Sequence, residues 1–274
     1  MASGVGPSEA PPGVLEGRAY RPALTQIQDP ARTLLETWSG IPGDKLVDHV
    51  NDLIPYPSIG LFAFLDLDLQ LCPYYAEVLE RVKSGHGFLD LGCCFAQEVR
   101  LLVSEGAPAQ NVYGADMVAE FIDQGYDLFL DKDKLNVKFF TYDIFSPAPS
   151  SLATELGGHL DIIHASNFFH LWQWDKQLEG ARIVTKLLAE RPGSMIIGAQ
   201  VGTKRARDLQ LPVLNSSLFL HSTRSFKTMW ENVSQDTGIR FDIQVTETSF
   251  SDQKAYGWPD ELETLRLIFT VRIV

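Results

Sequence analysis

From His86 to the end of the chain, short apolar runs alternate with amphipathic stretches, a rhythm that restricts this part to β-α-β units around a parallel sheet. The runs 87–91, 111–115, 137–141, 160–165 and 195–199 each suit a strand buried on both faces. Helices fit between them. The stretch 97–105 carries Val99, Leu102 and Val103 on one side and stops at Gly106, and 174–190 carries Leu178, Ala181, Val184 and Leu188 until Pro192 ends it. Two later segments, 241–245 and 265–271, alternate strictly, and no helix follows either. The expected architecture is therefore an α/β open sheet finished by a hairpin-like strand pair, not a barrel.

Before His86 the pattern is helical. Asp29 is placed to cap a helix with Pro30 at its first position and Leu34, Leu35 and Trp38 on its apolar side. A second helix is expected near Asp44, with Leu46, Val47, Val50, Leu53 and Ile54 at three-and-four spacing, and a third over 73–83 burying Tyr75, Val78 and Leu79. Residues 19–85 read as a helical cap, 86–274 as the main α/β unit, and 1–18 as a loose arm too poor in large apolar groups to offset the entropy of ordering. The apolar stretch 209–233, with Leu218, Phe219, Leu220, Phe226, Met229 and Trp230, is expected as an inserted cover helix, part of an insertion at about 203–236.

Charge and composition narrow the partners. Thirty-five acidic against 23 basic residues, a net −12, give no field for gathering nucleic acid. No apolar stretch nears the ~20 residues of a membrane helix, and the opening residues lack the apolar core of a signal peptide, so a cytoplasmic protein is expected. Cys72, Cys93 and Cys94 offer neither a disulfide framework nor a zinc spacing; reduced thiols and no metal are expected.

Three acids close three successive strands. Asp90-Leu-Gly92-Cys93-Cys94 ends the first, where a small-residue turn lets backbone amides approach a ligand. Asp116, which lies 24 residues after Gly92, ends the second, where a carboxylate can accept both hydroxyls of a ribose. Asp143 ends the third, placed for an adenine amine with Ile144 as an apolar wall. A nicotinamide dinucleotide wants three glycines around its pyrophosphate, yet Gly92 is followed by Cys94 and Ala96 and Asp90 adds negative charge. S-adenosylmethionine, cationic and without phosphate, suits the acids better.

These motifs resemble the class I S-adenosylmethionine-dependent methyltransferases. The stretches 89–97, 160–175 and 191–202 are similar to a fungal branch that methylates meroterpenoid and polyketide-pathway intermediates, best known for carboxyl O-methylation. The resemblance implies a Rossmann-like, mostly parallel seven-stranded sheet with an antiparallel last strand. It also implies that Asp90, Gly92, Cys93 and Ser166 face the methionine end, Asp116 and Met117 the ribose and adenine, and Asp143 and Ile144 the adenine. The branch usually has Gly where Ala96 stands and a basic residue where Ala199 stands. The implied substrate is a hydrophobic small-molecule acid, and a homodimer is an admissible assembly.

His164, inside the fourth strand, reads as a packed core histidine with one hydrogen bond. His170, just past that strand's carboxyl end, is the catalytic nominee, with Phe168, Phe169 and Trp172 as pocket walls and Trp174 turned to the core. Cys93 and Cys94 read as turn and core residues without a base to activate them. A carboxylate acceptor is ionised at neutral pH and needs no base, whereas a phenol would make His170 the base. The alternatives are thus a phenol O-methyltransferase or a non-catalytic cofactor-binding protein.

Overall fold

The computed structural model describes residues 24–51, 62–211, 216–249 and 263–274. Among them, β1 (Phe88–Leu91), β2 (Val112–Asp116), β3 (Lys138–Thr141), β4 (Ile162–His164), β5 (Met195–Thr203), β8 (Phe241–Thr248) and β9 (Thr264–Ile273) form one seven-stranded sheet in the order β3-β2-β1-β4-β5-β9-β8. The first five strands pair in parallel, and β9 runs antiparallel to both β5 and β8. The alternating tail segments are thus the strand pair that finishes the sheet. Chain direction across the sheet reverses at β1, because β2 and β3 lie on one side of it and β4 and β5 on the other. In an open α/β sheet this reversal opens a crevice at the carboxyl ends of the strands.

β1, β4 and β5 are buried along their whole length, as expected for central strands. β3 departs from the expectation: Lys138 and Thr141 are exposed, because it is the sheet edge and has a neighbour on one side alone.

Helices cover both faces. On one, α3 (Tyr75–Lys83) and α4 (Gln97–Ser104) bury Val78, Leu79, Val82, Val99 and Leu102 against Phe88, Val112, Ile162 and Ile197. Beside α4 lies α5 (Ala119–Phe129). On the other face, α6 (Ser151–Leu156), α7 (Trp174–Leu187) and α8 (Thr223–Thr237) pack on Leu89, Ile163, Ile196 and Phe269. No helix among the described residues is long and apolar enough to cross a membrane.

The stretch 209–233 is not one cover helix. It divides into a separate hairpin, β6 (Arg207–Leu211) with β7 (Ser216–Leu220), and α8. Ser222 and Ser225 cap α8 reciprocally, which fixes where the helix starts. Phe226, Met229, Trp230 and Val233 are then spent on the sheet, leaving the hairpin as the addition.

In the cap, α1 (Ala31–Thr37) starts one residue later than expected. Pro30 is its N-cap, and Asp29 accepts from the Thr33 backbone N–H at 3.1 Å instead. α2 (Leu46–Asn51) buries Leu46 and Val50; Leu53, Ile54 and the arm 1–18 fall outside the described residues. The cap has no private core: Leu34, Leu35, Leu46, Val50 and Phe64 share one cluster with Phe95, Leu101, Leu128 and Phe129 of the main unit. A 3-10 turn, Asp68–Leu71, then carries the cap to the end of β4, where Asn167 donates to Asp68 at 3.0 Å.

Candidate functional site

The turn after β1 is strained and heavily braced. Gly92 has φ +75°, and a Cβ there would stand 2.9 Å from the Phe168 ring, so this position needs glycine twice over. Cys94 and Ala96 also lie in the left-handed region, at φ 50° and 54°, a conformation that costs a residue with a side chain roughly 1–2 kcal/mol. For Ala96 this is the physical reason a glycine would fit there. The braces are the Gly92 and Cys93 N–H groups donating to Ala115 O at 2.8 and 3.0 Å, and Arg100 donating to Phe95 O at 2.7 Å.

Asp116, at the end of β2, ties this turn to the next strand. Its Oδ2 accepts from Cys94 N–H at 2.9 Å and its Oδ1 from Val118 N–H at 3.0 Å. Burial pushes its carboxyl above the ordinary range, with these backbone donors pulling the other way. Next to it Met117 is 64% exposed, an unusual position for a large apolar side chain and one that leaves it free to cover a flat ligand. Asp143, past β3, stands exposed with Oδ1 accepting from Phe145 N–H at 2.9 Å, and Ile144 is buried beside it. Cys93 is brought to the turn but not to its surface. Its side chain is in the core, and its thiol is raised well above the ordinary value by burial. Burial also raises the Cys94 thiol, to about 12, so neither sulfur is a nucleophile.

Beneath the turn lies a buried polar chain. His164 Nδ1 bonds Asp90 Oδ1 at 2.8 Å, His164 Nε2 meets Ser166 Oγ at 2.9 Å, and Ala199 N–H donates to Ser166 Oγ at 3.0 Å. His164 is therefore more than a core histidine with one bond. Burial alone would lower its pKa, but the hydrogen bond and charge of Asp90, backed by Glu98 and Asp68, hold it above the usual value. Asp90 Oδ2 is buried and has no hydrogen-bond partner.

Glu98 escapes a sequence reading, because α4 is buried on the sheet side and the cap side alike and nothing in a 3.6-residue pattern marks that. Its Oε1 accepts from Leu69 N–H at 3.2 Å while Oε2 is unpartnered, and burial raises its pKa to about 8. In the unfolded chain it ionises near the ordinary 4.5, so folding stability drawn from this group declines as pH rises from about 4.5 to about 8. Glu98→Gln, which cannot ionise, is expected to raise the melting temperature at pH 9 more than at pH 5. Calorimetry showing an equal or opposite change at the two pH values would remove this assignment.

The turn Phe169–Leu171 holds His170 beyond β4. Its Nδ1 is sealed from solvent without a partner, and burial pushes its pKa down to about 4, so the imidazole is neutral at pH 7. Phe168 lies edge-on to Trp172 at 5.1 Å, and Trp172 edge-on to Phe145 at 5.0 Å. An aromatic wall therefore runs from Gly92 to the loop after β3. Trp174 does not simply face the core. It packs on Phe219 and His221 of the hairpin side, at 5.2 Å from each. No cluster of three potential metal ligands occurs among the described residues.

A reversed parallel sheet, a braced small-residue turn after its first strand and acids at the ends of three neighbouring strands define a class I S-adenosylmethionine-dependent methyltransferase. A methyltransferase of this kind from Leishmania major shares the fold, with a TM-score of 0.50 over 89% of this chain and 87% of that one at 13% identity. The residues fit the cofactor: the orphaned Asp90 Oδ2 calls for a cationic or donating group, and the glycine cradle at Gly92 stands beside it.

A family profile described as meroterpenoid methyltransferase N-terminal domain matches residues 19–65. A Penicillium rubens methyltransferase, adrK, is 38% identical over 235 residues, covering 82% of this chain and 83% of that one. The asnovolin E/chermesin D methyltransferase of Aspergillus novofumigatus is 39% identical over 233 residues, with 82% and 84% covered. An O-methyltransferase of Stereocaulon alpinum is 37% identical over 262 residues, with 92% and 75% covered. The chain belongs to this fungal meroterpenoid methyltransferase family.

Proposed function

We propose that this enzyme converts the carboxylate of a hydrophobic secondary-metabolite acid, meroterpenoid or polyketide-derived, to its methyl ester. The observation that carries the reading is His170. It is the titratable group nominated for the reacting centre, and with a pKa near 4 and no carboxylate partner it is a weak base at neutral pH. General-base catalysis works best when the base's pKa lies near the operating pH, so removing the proton of a phenol with pKa near 10 is a task this imidazole performs poorly. A carboxylic acid has already lost its proton at that pH. Two of the relatives carry the name O-methyltransferase, which supports oxygen as the acceptor atom.

In this reading Asp90, Gly92 and Ser166 hold the methionine end of the cofactor, Asp116 and Met117 its ribose and adenine, and Asp143 and Ile144 the adenine edge. When bound, S-adenosylmethionine supplies an electrophilic methyl group on a sulfonium. The protein's part is to place the acceptor oxygen in line with that methyl and keep water out, with Phe168 and Trp172 as the wall and neutral His170 orienting the acceptor.

The test is a pH profile with an apolar carboxylic acid and with its phenol counterpart. The acid should be methylated at a rate nearly flat from pH 6 to 9, giving a product whose methyl is released by mild alkali, and His170→Ala should lower the rate less than about tenfold. A phenol preferred over the acid, with a rate climbing at unit slope and a loss of about 100–10,000-fold in His170→Ala, would replace this reading.

A further inference from the structure

The Asp90–His164–Ser166 chain has a chemical consequence beyond placing three residues. A serine oxygen has two lone pairs and one hydrogen. At Ser166 one lone pair is taken by the Ala199 N–H, which can do nothing but donate. The role of the hydrogen is then decided by His164 Nε2. If the ring is an imidazolium, Nδ1–H donates to Asp90 and Nε2–H donates into the second lone pair of Ser166, which leaves the hydroxyl hydrogen free to point elsewhere. If the ring is neutral with Nδ1–H on Asp90, the hydroxyl must give its hydrogen to Nε2 and has no donor left. Ser166 is half-buried, at the carboxyl end of β4 where ligands meet an open sheet.

We infer that His164 is a positioning residue whose proton state sets the Ser166 hydroxyl as a hydrogen-bond donor to the carboxylate of the cofactor's methionine end, so that the enzyme grips its cofactor through a histidine that does not touch it. The inference rests on the reading that Ser166 faces that end. The ring cannot swing out of this role. It is buried, stacks on Phe88 with planes 18° apart, and is held at both nitrogens. The ionisable groups facing it are Asp90 from β1, Glu98 from α4, which gains its charge only toward pH 8, and Asp68 from the cap turn, paired with Arg266 of β9. Asp90, bonded to the ring, and Asp68 favour the cation, and Glu98 adds to this as it ionises toward pH 8, as the raised pKa of the ring reflects. The cap thus contributes charge to the cofactor site through Asp68.

The probe is S-adenosylhomocysteine, titrated calorimetrically into the full-length enzyme from pH 6 to 9. The wild type is expected to lose about ten- to a hundredfold in affinity beyond what Ser166→Ala loses over the same range, the size of one hydrogen bond to a charged group. The ligand's own amine titrates equally in both and cancels. His164→Gln, whose amide donates to Ser166 at every pH, should follow the Ser166→Ala slope while keeping the tighter affinity. Glu98→Gln should keep the wild-type slope but move its midpoint to lower pH, which separates His164 from the other buried group titrating in this window. Ring 15N shifts of His164 should show both nitrogens protonated at pH 7, a readout that needs no variant to fold. Parallel curves for wild type and Ser166→Ala, or a neutral His164 ring at pH 7, would overturn the inference. Unchanged affinity in Ser166→Ala at pH 6.5 would instead remove the placement of Ser166 at the methionine end, and the inference with it.

Discussion

Replacing Asp131 with alanine is expected to cost about 3–5 kcal/mol of folding stability, the range for breaking a buried ion pair by removing one partner. The Arg100 and Asp131 side chains are 1% and 0% exposed and meet through two bonds, at 2.8 and 2.9 Å. Three parts of the molecule converge here. Trp38, the C-cap of α1, donates its indole N–H to Asp131 Oδ2 at 2.7 Å, the Arg100 guanidinium lies 4.5 Å over the Phe129 ring, and Arg100 also holds the Phe95 carbonyl of the turn after β1. Removing the carboxylate strands a buried guanidinium, frees the cap's indole and loosens the brace on a turn with three left-handed residues. The loss should therefore appear twice, as a lower unfolding free energy and as weaker S-adenosylhomocysteine binding. The double replacement Arg100→Met with Asp131→Leu should cost less than Asp131→Ala alone, because no orphaned charge remains. Chemical denaturation placing Asp131→Ala within about 1 kcal/mol of the wild type would show that this triad is not what joins cap to sheet.

That triad also shows where sequence patterning runs out. The apolar positions Val99, Leu102 and Val103 mark one side of α4 and leave Arg100 to solvent, which is the sound reading for a helix lying on a sheet with water outside. The cap occupies the outside, so Glu98 and Arg100 are buried too, and their partners come from residues 29 to 31 positions away in one direction or the other. No local rule pairs Arg100 with Asp131. What was legible is what depends on local repetition: five parallel strands from their apolar runs, the alternating pair at the tail, and acids at strand ends. α8 was visible as an apolar stretch, but its destination was not, since a helix covering a substrate and a helix covering a sheet carry the same stripe. His164 was weighed by its position inside a strand, where one hydrogen bond is the ordinary outcome. Its partner Asp90 on β1 depends on β1 and β4 being neighbours, a fact of topology, whereas Ser166 lies two residues further along the same chain.

For the cofactor itself, Asp116→Ala is expected to weaken S-adenosylhomocysteine binding by about 1.5–3 kcal/mol, the worth of hydrogen bonds to a charged group. An ionised carboxylate has about four lone-pair sites. Two are filled by the Cys94 and Val118 N–H groups, one on each oxygen, and the Met117 backbone also supports the charge, which leaves lone-pair capacity for a ribose hydroxyl. The same two bonds bring a confounding effect, because alanine also releases the Cys94 N–H and the turn could sag for that reason alone. A ligand lacking both ribose hydroxyls separates the two effects. If the carboxylate holds the ribose, the wild type should bind the 2′,3′-dideoxy analogue about as weakly as Asp116→Ala binds the complete ligand, and the variant should not distinguish the two ligands. If the variant weakens both ligands equally, Asp116 supports the turn and leaves the ribose to other residues. The pH dependence adds a sign. Burial holds this carboxyl above the ordinary range, so as pH falls it takes up a proton earlier than an exposed aspartate would, and the ribose-dependent part of the affinity should decline with it, a decline the dideoxy analogue should not show.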